Sequence, residues 1–318
     1  MKVMHISSRF SLLFLFLIGL SISLVAQEQD SFQLKAVNDE VYNAIIQFYE
    51  YDRKIPIELK TVERIENDDY LREKVVFNGI NNSQVTGYLA IPKTSKPPYP
   101  CVLQMHGLTV SKSDFWEEEY HYGELVTQGL LSSGYAVLAL DMPYHGERLY
   151  EKKFESTGIT LFQKGWGYRI RDMIVQSTIE YRRVIDYLET RNEIDANKLG
   201  AIGYSLGSVV TMILTGVDDR IKTCVVCANA IMRSLDFLPP EEHLTGIASQ
   251  TFASSIDEQS FLMLAARNDD FNCTVEYAKQ LFNLVGSKEK KLIFYDSGHK
   301  LPKEHAPVAT NWLKNNLK

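Results

Sequence analysis

Residues 203–207 read Gly-Tyr-Ser-Leu-Gly, and their flanks dictate what the backbone must do there. The run before them, Lys198-Leu199-Gly200-Ala201-Ile202, suits a buried strand. The run after them, Ser208 to Leu214, is long enough for two helical turns. A strand that becomes a helix within five residues has to turn sharply. Glycines two before and two after the serine let strand and helix approach without a Cβ clash. Such a turn projects the Ser205 hydroxyl, which becomes a nucleophile once a neighbouring base takes its proton.

The chain on either side alternates in period. Leu71 to Phe77 and Val85 to Ile91 read as strands, joined by turn-forming Asn78-Gly79-Ile80-Asn81-Asn82-Ser83, which predicts a hairpin. Strands are then expected at 101–105, 135–140, 198–202, 221–227, 261–266 and 291–295, with helices at 120–132 and 168–189 among them. Strands alternating with helices of this length predict an α/β chain with a doubly wound, mostly parallel sheet. The N-terminal hairpin would add antiparallel strands at one edge. Ser31 to Tyr51 has helical spacing, with Leu34, Val37, Val41, Ala44, Ile45 and Phe48 on one face. Stretches 142–167 and 228–259 leave strand tips and are too long for plain connections, so cap or lid insertions are expected there.

Two further strand tips carry titratable groups. Phe261 to Ala266 ends in Arg267-Asn268-Asp269-Asp270, and Lys291 to Tyr295 ends in Asp296-Ser297-Gly298-His299. Serine, then aspartate, then histidine, each beyond the carboxyl end of a strand, is the chain order of an α/β-hydrolase triad. From roughly Leu71 to the C-terminus the chain resembles the α/β-hydrolase superfamily, in its esterase and dienelactone-hydrolase-like branch. That resemblance implies the α/β-hydrolase fold, with Ser205 as nucleophile, His299 as base and Asp269 as the orienting acid. In the family the acid follows a strand-terminal small residue by three positions. Ala266 fills that place and selects Asp269, leaving Asp270 as a loop carboxylate or helix cap. Gly298-His299 ahead of a terminal helix beginning at Leu301-Pro302 matches the family's histidine loop, whereas His305 falls inside that helix as a solvated or capping residue.

Gln104-Met105-His106-Gly107-Leu108 resembles the family's oxyanion loop. The implied donors are the backbone N–H groups of Leu206 and Leu108, or Thr109 if the loop is shifted by one. Asp141-Met142-Pro143-Tyr144-His145-Gly146-Glu147-Arg148 resembles the segment that braces the nucleophile loop, with a substrate contact from Tyr144 or Arg148 as the other reading. Phe115, Trp116, Tyr120, Tyr122 and Trp166 are candidates to line an aromatic or sugar-accepting pocket, or to serve only in packing.

The N-terminus carries Lys2 and Arg9, an apolar stretch from Leu12 to Leu20, and Ala26. This predicts a cleaved signal peptide over 1–26, since the stretch is shorter than the roughly 20 residues of a spanning helix. Residues 27–70 are then expected as a helical extension and 71–318 as the catalytic domain. The 34 basic and 40 acidic residues give a net charge of −6, and removal of Lys2 and Arg9 makes it more negative. Such a balance offers no footprint for nucleic acid or an anionic membrane. Cys224 and Cys227 form a C-x-x-C pair inside one expected strand. Residues three apart on a strand point to opposite faces, which argues against a shared metal or disulfide. The expectation is therefore an exported, cofactor-free and metal-free serine hydrolase acting on a small-molecule ester. The alternatives are a prolyl-oligopeptidase-like peptidase, for which the chain lacks room for a propeller, and a non-catalytic binding protein on the same fold.

Overall fold

The computed structural model describes residues 33–81, 83–117, 121–148, 167–229, 244–269 and 273–318. The chain divides into two units, Met1–Leu34 and Lys35–Lys318, and the elements below all belong to the second. Nine strands form one sheet in the order β1-β2-β3-β5-β4-β6-β7-β8-β9. They are β1 Lys60–Glu66, β2 Tyr70–Asn78, β3 Gln84–Pro92, β4 Tyr99–Met105, β5 Ala136–Leu140, β6 Ile194–Tyr204, β7 Ile221–Cys227, β8 Ser260–Ala266 and β9 Lys290–Tyr295. The pairs from β5 through β4 to β9 are parallel, and β1, β2 and β3 add antiparallel strands at one edge. This is the mixed sheet of an α/β-hydrolase fold.

Burial explains the strand sequences. Ala-Val-Leu-Ala-Leu of β5 and Ser-Phe-Leu-Met-Leu-Ala-Ala of β8 are buried at every position. A parallel strand covered on both faces needs such an unbroken apolar run. The helices are α1 Asp39–Ile46, α2 Gly123–Leu131, α3 Gly167–Leu188, α4 Leu206–Val217, α5 Ser249–Phe252, α6 Val275–Leu284 and α7 His305–Asn316. Helix α4 is buried from Leu206 to Thr215, and its apolar residues fall all around its axis, as a helix enclosed on every side requires.

Three expectations are corrected. The helix expected over Ser31 to Tyr51 spans only Asp39–Ile46, followed by a 3₁₀ turn at Gln47–Tyr49. The Asn38 side chain accepts the Val41 N–H at 2.9 Å and so sets the start, leaving Val37 outside. The sheet begins at Lys60, inside the expected helical extension, because Lys-Thr-Val-Glu-Arg-Ile-Glu pairs with β2 as an edge strand. With no position of β1 buried, it carries no period-2 apolar signal. The last helix starts at His305 after a turn in which the His305 N–H donates to the Pro302 carbonyl. His305 is buried, not solvated.

The leader, residues 149–166 of the first expected insertion and 230–243 of the second, and Tyr120, Trp166 and Asp270 lie outside the described residues. Among the described residues no helix is long and apolar enough to cross a membrane.

Candidate active site

The carboxyl ends of β4, β6, β8 and β9 point the same way, so the loops that leave them share one rim of the sheet. These loops carry His106 to Leu108, Ser205, Asp269 and His299.

Ser205 joins β6 to α4 with φ 53° and ψ −115°. For a residue with a Cβ that conformation costs on the order of 1–3 kcal/mol, and it persists only where the surroundings enforce it. The enforcement is visible. The Ser205 N–H donates to the Cys227 carbonyl at 2.9 Å. The buried Ser208 hydroxyl lies 2.8 Å from the Gly203 carbonyl and accepts the Cys227 N–H at 3.0 Å. A Cβ on Gly203 would stand 2.1 Å from the Gly207 carbonyl oxygen, and one on Gly207 would stand 2.1 Å from that of Met105. Both contacts are sterically impossible, so both glycines are required.

The same closeness sets the loop of Met105 to Leu108 against the elbow. His106 Nδ1 donates to the Gly107 carbonyl at 2.8 Å, and its Nε2 accepts the Met142 N–H at 3.1 Å. Burial, and then the charge of His145, holds the His106 ring well below the usual imidazole range, at about 3, so the ring is neutral as those bonds require. His145 sets both ring nitrogens against carbonyl oxygens, Pro143 at 2.8 Å and Leu108 at 2.5 Å. In a trans peptide the C=O and N–H point in opposite directions. Anchoring the Gly107 and Leu108 carbonyls therefore turns the N–H groups of Leu108 and Thr109 the other way. Leu206 opens α4, where first-turn amides have no partner within the helix.

Asp269 follows Ala266 by three residues, and its side chain is wholly buried. His299 is half-buried, with Nδ1 2.7 Å from Asp269 Oδ2. Nδ1 donating to a carboxylate leaves Nε2 as the acceptor nitrogen. The loops are tied to each other: the Arg267 N–H donates to the Tyr295 carbonyl at 2.8 Å and the Asn268 N–H to that of Ser297 at 3.0 Å. Asp296, by contrast, is exposed and pairs with Arg267 at the surface.

The segment after β5 braces this arrangement. Asp141 Oδ1 accepts the Lys112 N–H, and Oδ2 accepts the Thr86 hydroxyl and the Glu147 N–H, each at 3.0 Å. The buried Lys112 ammonium stands 2.6 Å from Asp141 Oδ2. Burial alone would raise the Asp141 carboxyl, but Lys112 outweighs it and holds the group below its ordinary value. Gly146, at φ 51°, leaves room for this carboxylate: a Cβ there would stand 2.3 Å from Asp141 Oδ1. Arg148 is fully buried, 2.7 Å from Glu180 and 3.1 Å from the Asp141 carbonyl, which corrects its reading as a substrate contact. Phe115 is core. Trp116 meets Tyr88 edge-on under the Arg72 guanidinium, and with Phe115 it lines a cavity beside Tyr70 and Leu125. Tyr122 lies under the Lys300 ammonium, next to the histidine loop. Lys112 and Ser208 went unread in the sequence because each looks like an ordinary polar surface residue.

Among the described residues no group of histidine, cysteine and carboxylate side chains could hold a metal ion. The four cysteines are free and buried.

A sharp elbow with a strained serine, and a buried aspartate bonded to a histidine, on a mixed nine-stranded sheet define the α/β-hydrolase class. Residues 40–231 match the family model described as acetyl xylan esterase (AXE1). The chain belongs to this family. It is 28% identical over 181 residues to YtaP, named as a hydrolase, of Bacillus subtilis (strain 168); the match covers 55% of this chain and 58% of YtaP. Esterase FrsA of Photorhabdus laumondii subsp. laumondii is 23% identical over 198 residues, covering 60% of this chain and 41% of FrsA. The matches thus span only about half the length of these curated relatives. Among solved structures, acetyl xylan esterase 1 from Thermoanaerobacterium sp. JW/SL YS485 superposes with a TM-score of 0.66 at 11% identity, over 90% of this chain and 96% of that one. The acetyl xylan esterase from Paenibacillus sp. R4 gives 0.63 at 15% identity, over 90% and 98%. At these identities the structural likeness is one of fold.

Proposed function

We propose that this chain is an exported serine esterase that cleaves small acyl esters, acetyl esters foremost, through Ser205, His299 and Asp269. The observation that carries the reading is the bond between buried Asp269 and half-buried His299, together with the strained backbone of Ser205. Membership of the acetyl xylan esterase family supports an acetyl group as the acyl part.

His299 Nε2 takes the Ser205 proton while Oγ bonds to the substrate carbonyl carbon, and the carbonyl oxygen becomes an oxyanion. The N–H groups of Leu206 and Leu108 receive that oxyanion. Removing one such donor typically raises the barrier by about 3–4 kcal/mol. Collapse breaks the bond to the alkoxy oxygen, which leaves with the proton held by His299. Water, deprotonated by the same nitrogen, then cleaves the acyl-enzyme and releases the acid. Asp269 fixes the ring tautomer and offsets the imidazolium charge without taking the proton. No step calls for a metal or cofactor.

Labelling by a fluorophosphonate tests the assignment, with p-nitrophenyl acetate and acetylated xylo-oligosaccharides as substrates beside peptide amides. Label on Ser205 and loss of ester turnover in Ser205→Ala are expected. Ester turnover that persists in Ser205→Ala would remove the nucleophile, and faster cleavage of peptide amides would reassign the substrate class.

Export is supported by Lys2, Arg9, the apolar stretch Leu12 to Leu20 and Ala26. Intact-mass measurement of the native protein is expected to find a chain starting at Gln27. A full-length, detergent-extracted species would point to a membrane anchor instead.

A further inference from the structure

Tyr204 closes β6 one residue before Ser205 and is buried. Its hydroxyl donates to the carbonyl oxygen of His299 at 2.8 Å and accepts the N–H of Leu301 at 2.7 Å. The ring is boxed in as well. His121 lies over one face with ring centres 4.0 Å apart, and the rings of His299 and His305 meet it edge-on at 6.0 and 5.8 Å. His121 is itself fixed, its Nδ1 3.2 Å from the buried Asp114 carboxylate. The same ring sits under the oxyanion loop, where a Cβ on Gly107 would meet it at 3.0 Å.

The sheet order explains why such a contact matters. Strands β7 and β8 separate β6 from β9, so the roots of the elbow and of the histidine loop stand roughly 14 Å apart at three strand spacings. Their ladder bonds run through both intervening strands. The Tyr204 hydroxyl spans that separation with two directional bonds to the backbone on either side of Lys300. Packing alone would be satisfied by phenylalanine, since every ring contact would survive. The hydroxyl is what a packing role leaves unexplained.

We propose that Tyr204 is a positioning residue for the esterase reaction, setting the backbone of His299 over the elbow so that its ring meets Ser205 while Asp269 holds Nδ1. The inference rests on the Ser205–His299–Asp269 reading. Attack geometry is steep: a displacement of about 1 Å can cost a hundredfold in rate.

The test compares Tyr204→Phe with Tyr135→Phe. Tyr135 is another nearly buried tyrosine, whose hydroxyl donates to the Lys314 carbonyl at 3.2 Å, at the opposite end of the parallel strands. Rates are taken per serine titrated by a fluorophosphonate, so unfolded chains do not enter. Tyr204→Phe is expected to lower kcat about ten- to hundredfold with KM changed by less than about threefold, while Tyr135→Phe keeps kcat within about twofold. The proposal is overturned if Tyr204→Phe retains kcat within about twofold, if its loss lies in KM alone, or if Tyr135→Phe loses as much. Ser205→Ala run alongside separates the two readings. Turnover retained there removes the triad itself. Turnover lost there, with an unimpaired Tyr204→Phe, removes only the positioning role.

Discussion

Oδ2 of Asp269 and Nδ1 of His299 stand 2.7 Å apart although each sits beyond the tip of a different strand, β8 and β9. The bond selects the ring tautomer, so its loss leaves the wrong nitrogen protonated. Asp269→Asn is expected to lower kcat about 10³- to 10⁴-fold. Steady-state kinetics beside Asp270→Asn check this, and a comparable loss in Asp270→Asn would move the acid by one residue.

The closeness of Gly207 to the Met105 carbonyl predicts the cost of a single methyl group. Gly207→Ala would force its Cβ to within 2.1 Å of that oxygen, and neither backbone can yield without opening the elbow. A stability loss of about 3 kcal/mol is expected, with fluorophosphonate labelling abolished. Urea unfolding and labelling measure the two halves. A folded, fully reactive variant would show that the elbow is looser than this contact implies.

Arg148 and Glu180 form a wholly buried pair, and burial pushes the Glu180 carboxyl upward despite the guanidinium beside it. Removing only the cation strands a buried carboxylate. Arg148→Met is expected to cost about 3–5 kcal/mol, and adding Glu180→Gln to recover part of it, because a neutral amide needs no counter-charge. Denaturant midpoints of the single and double variants decide this. An additive further loss would count against an electrostatic origin.

Acid should weaken the fold before any carboxylate titrates. Burial lowers both His106 and His305. The His106 ring, held at about 3, stays neutral in the folded chain while its unfolded counterpart takes up a proton near pH 6.5. Below that pH the unfolded state binds more protons, and stability falls with falling pH by about 1.4 kcal/mol per unit from His106, with His305 acting in the same direction. For His106 the slope persists down to about 3. Unfolding midpoints between pH 7.5 and 5 are expected to follow this trend, and His106→Gln to flatten it. An unchanged slope in the variant would clear His106.

The elements legible in the sequence are those whose signal is local. Strand β7 runs Ile221–Cys227 as read, and β8 and β9 differ from their readings by one residue; β8, covered on both faces, writes its burial as an unbroken apolar run. Edge strand β1 has no buried side and left no such trace. Helix α1 is shorter than its apolar spacing suggests because Leu34 and Val37 lie ahead of the Asn38 side chain that caps its start.

The candidate site divides along the same line. Gly203, Ser205 and Gly207 were readable because a strand-to-helix turn constrains residues that adjoin in the chain. Asp269 and His299 were readable as strand-tip residues in a known order. What the residues touch belongs to the tertiary structure alone. Lys112 lies buried against Asp141, Arg148 against Glu180, and Tyr204 reaches the backbone of His299 across two intervening strands. Local patterning records backbone geometry and burial, which depend on near neighbours. Partnership between side chains depends on which strands the sheet order brings together, and no stretch of sequence carries that order by itself.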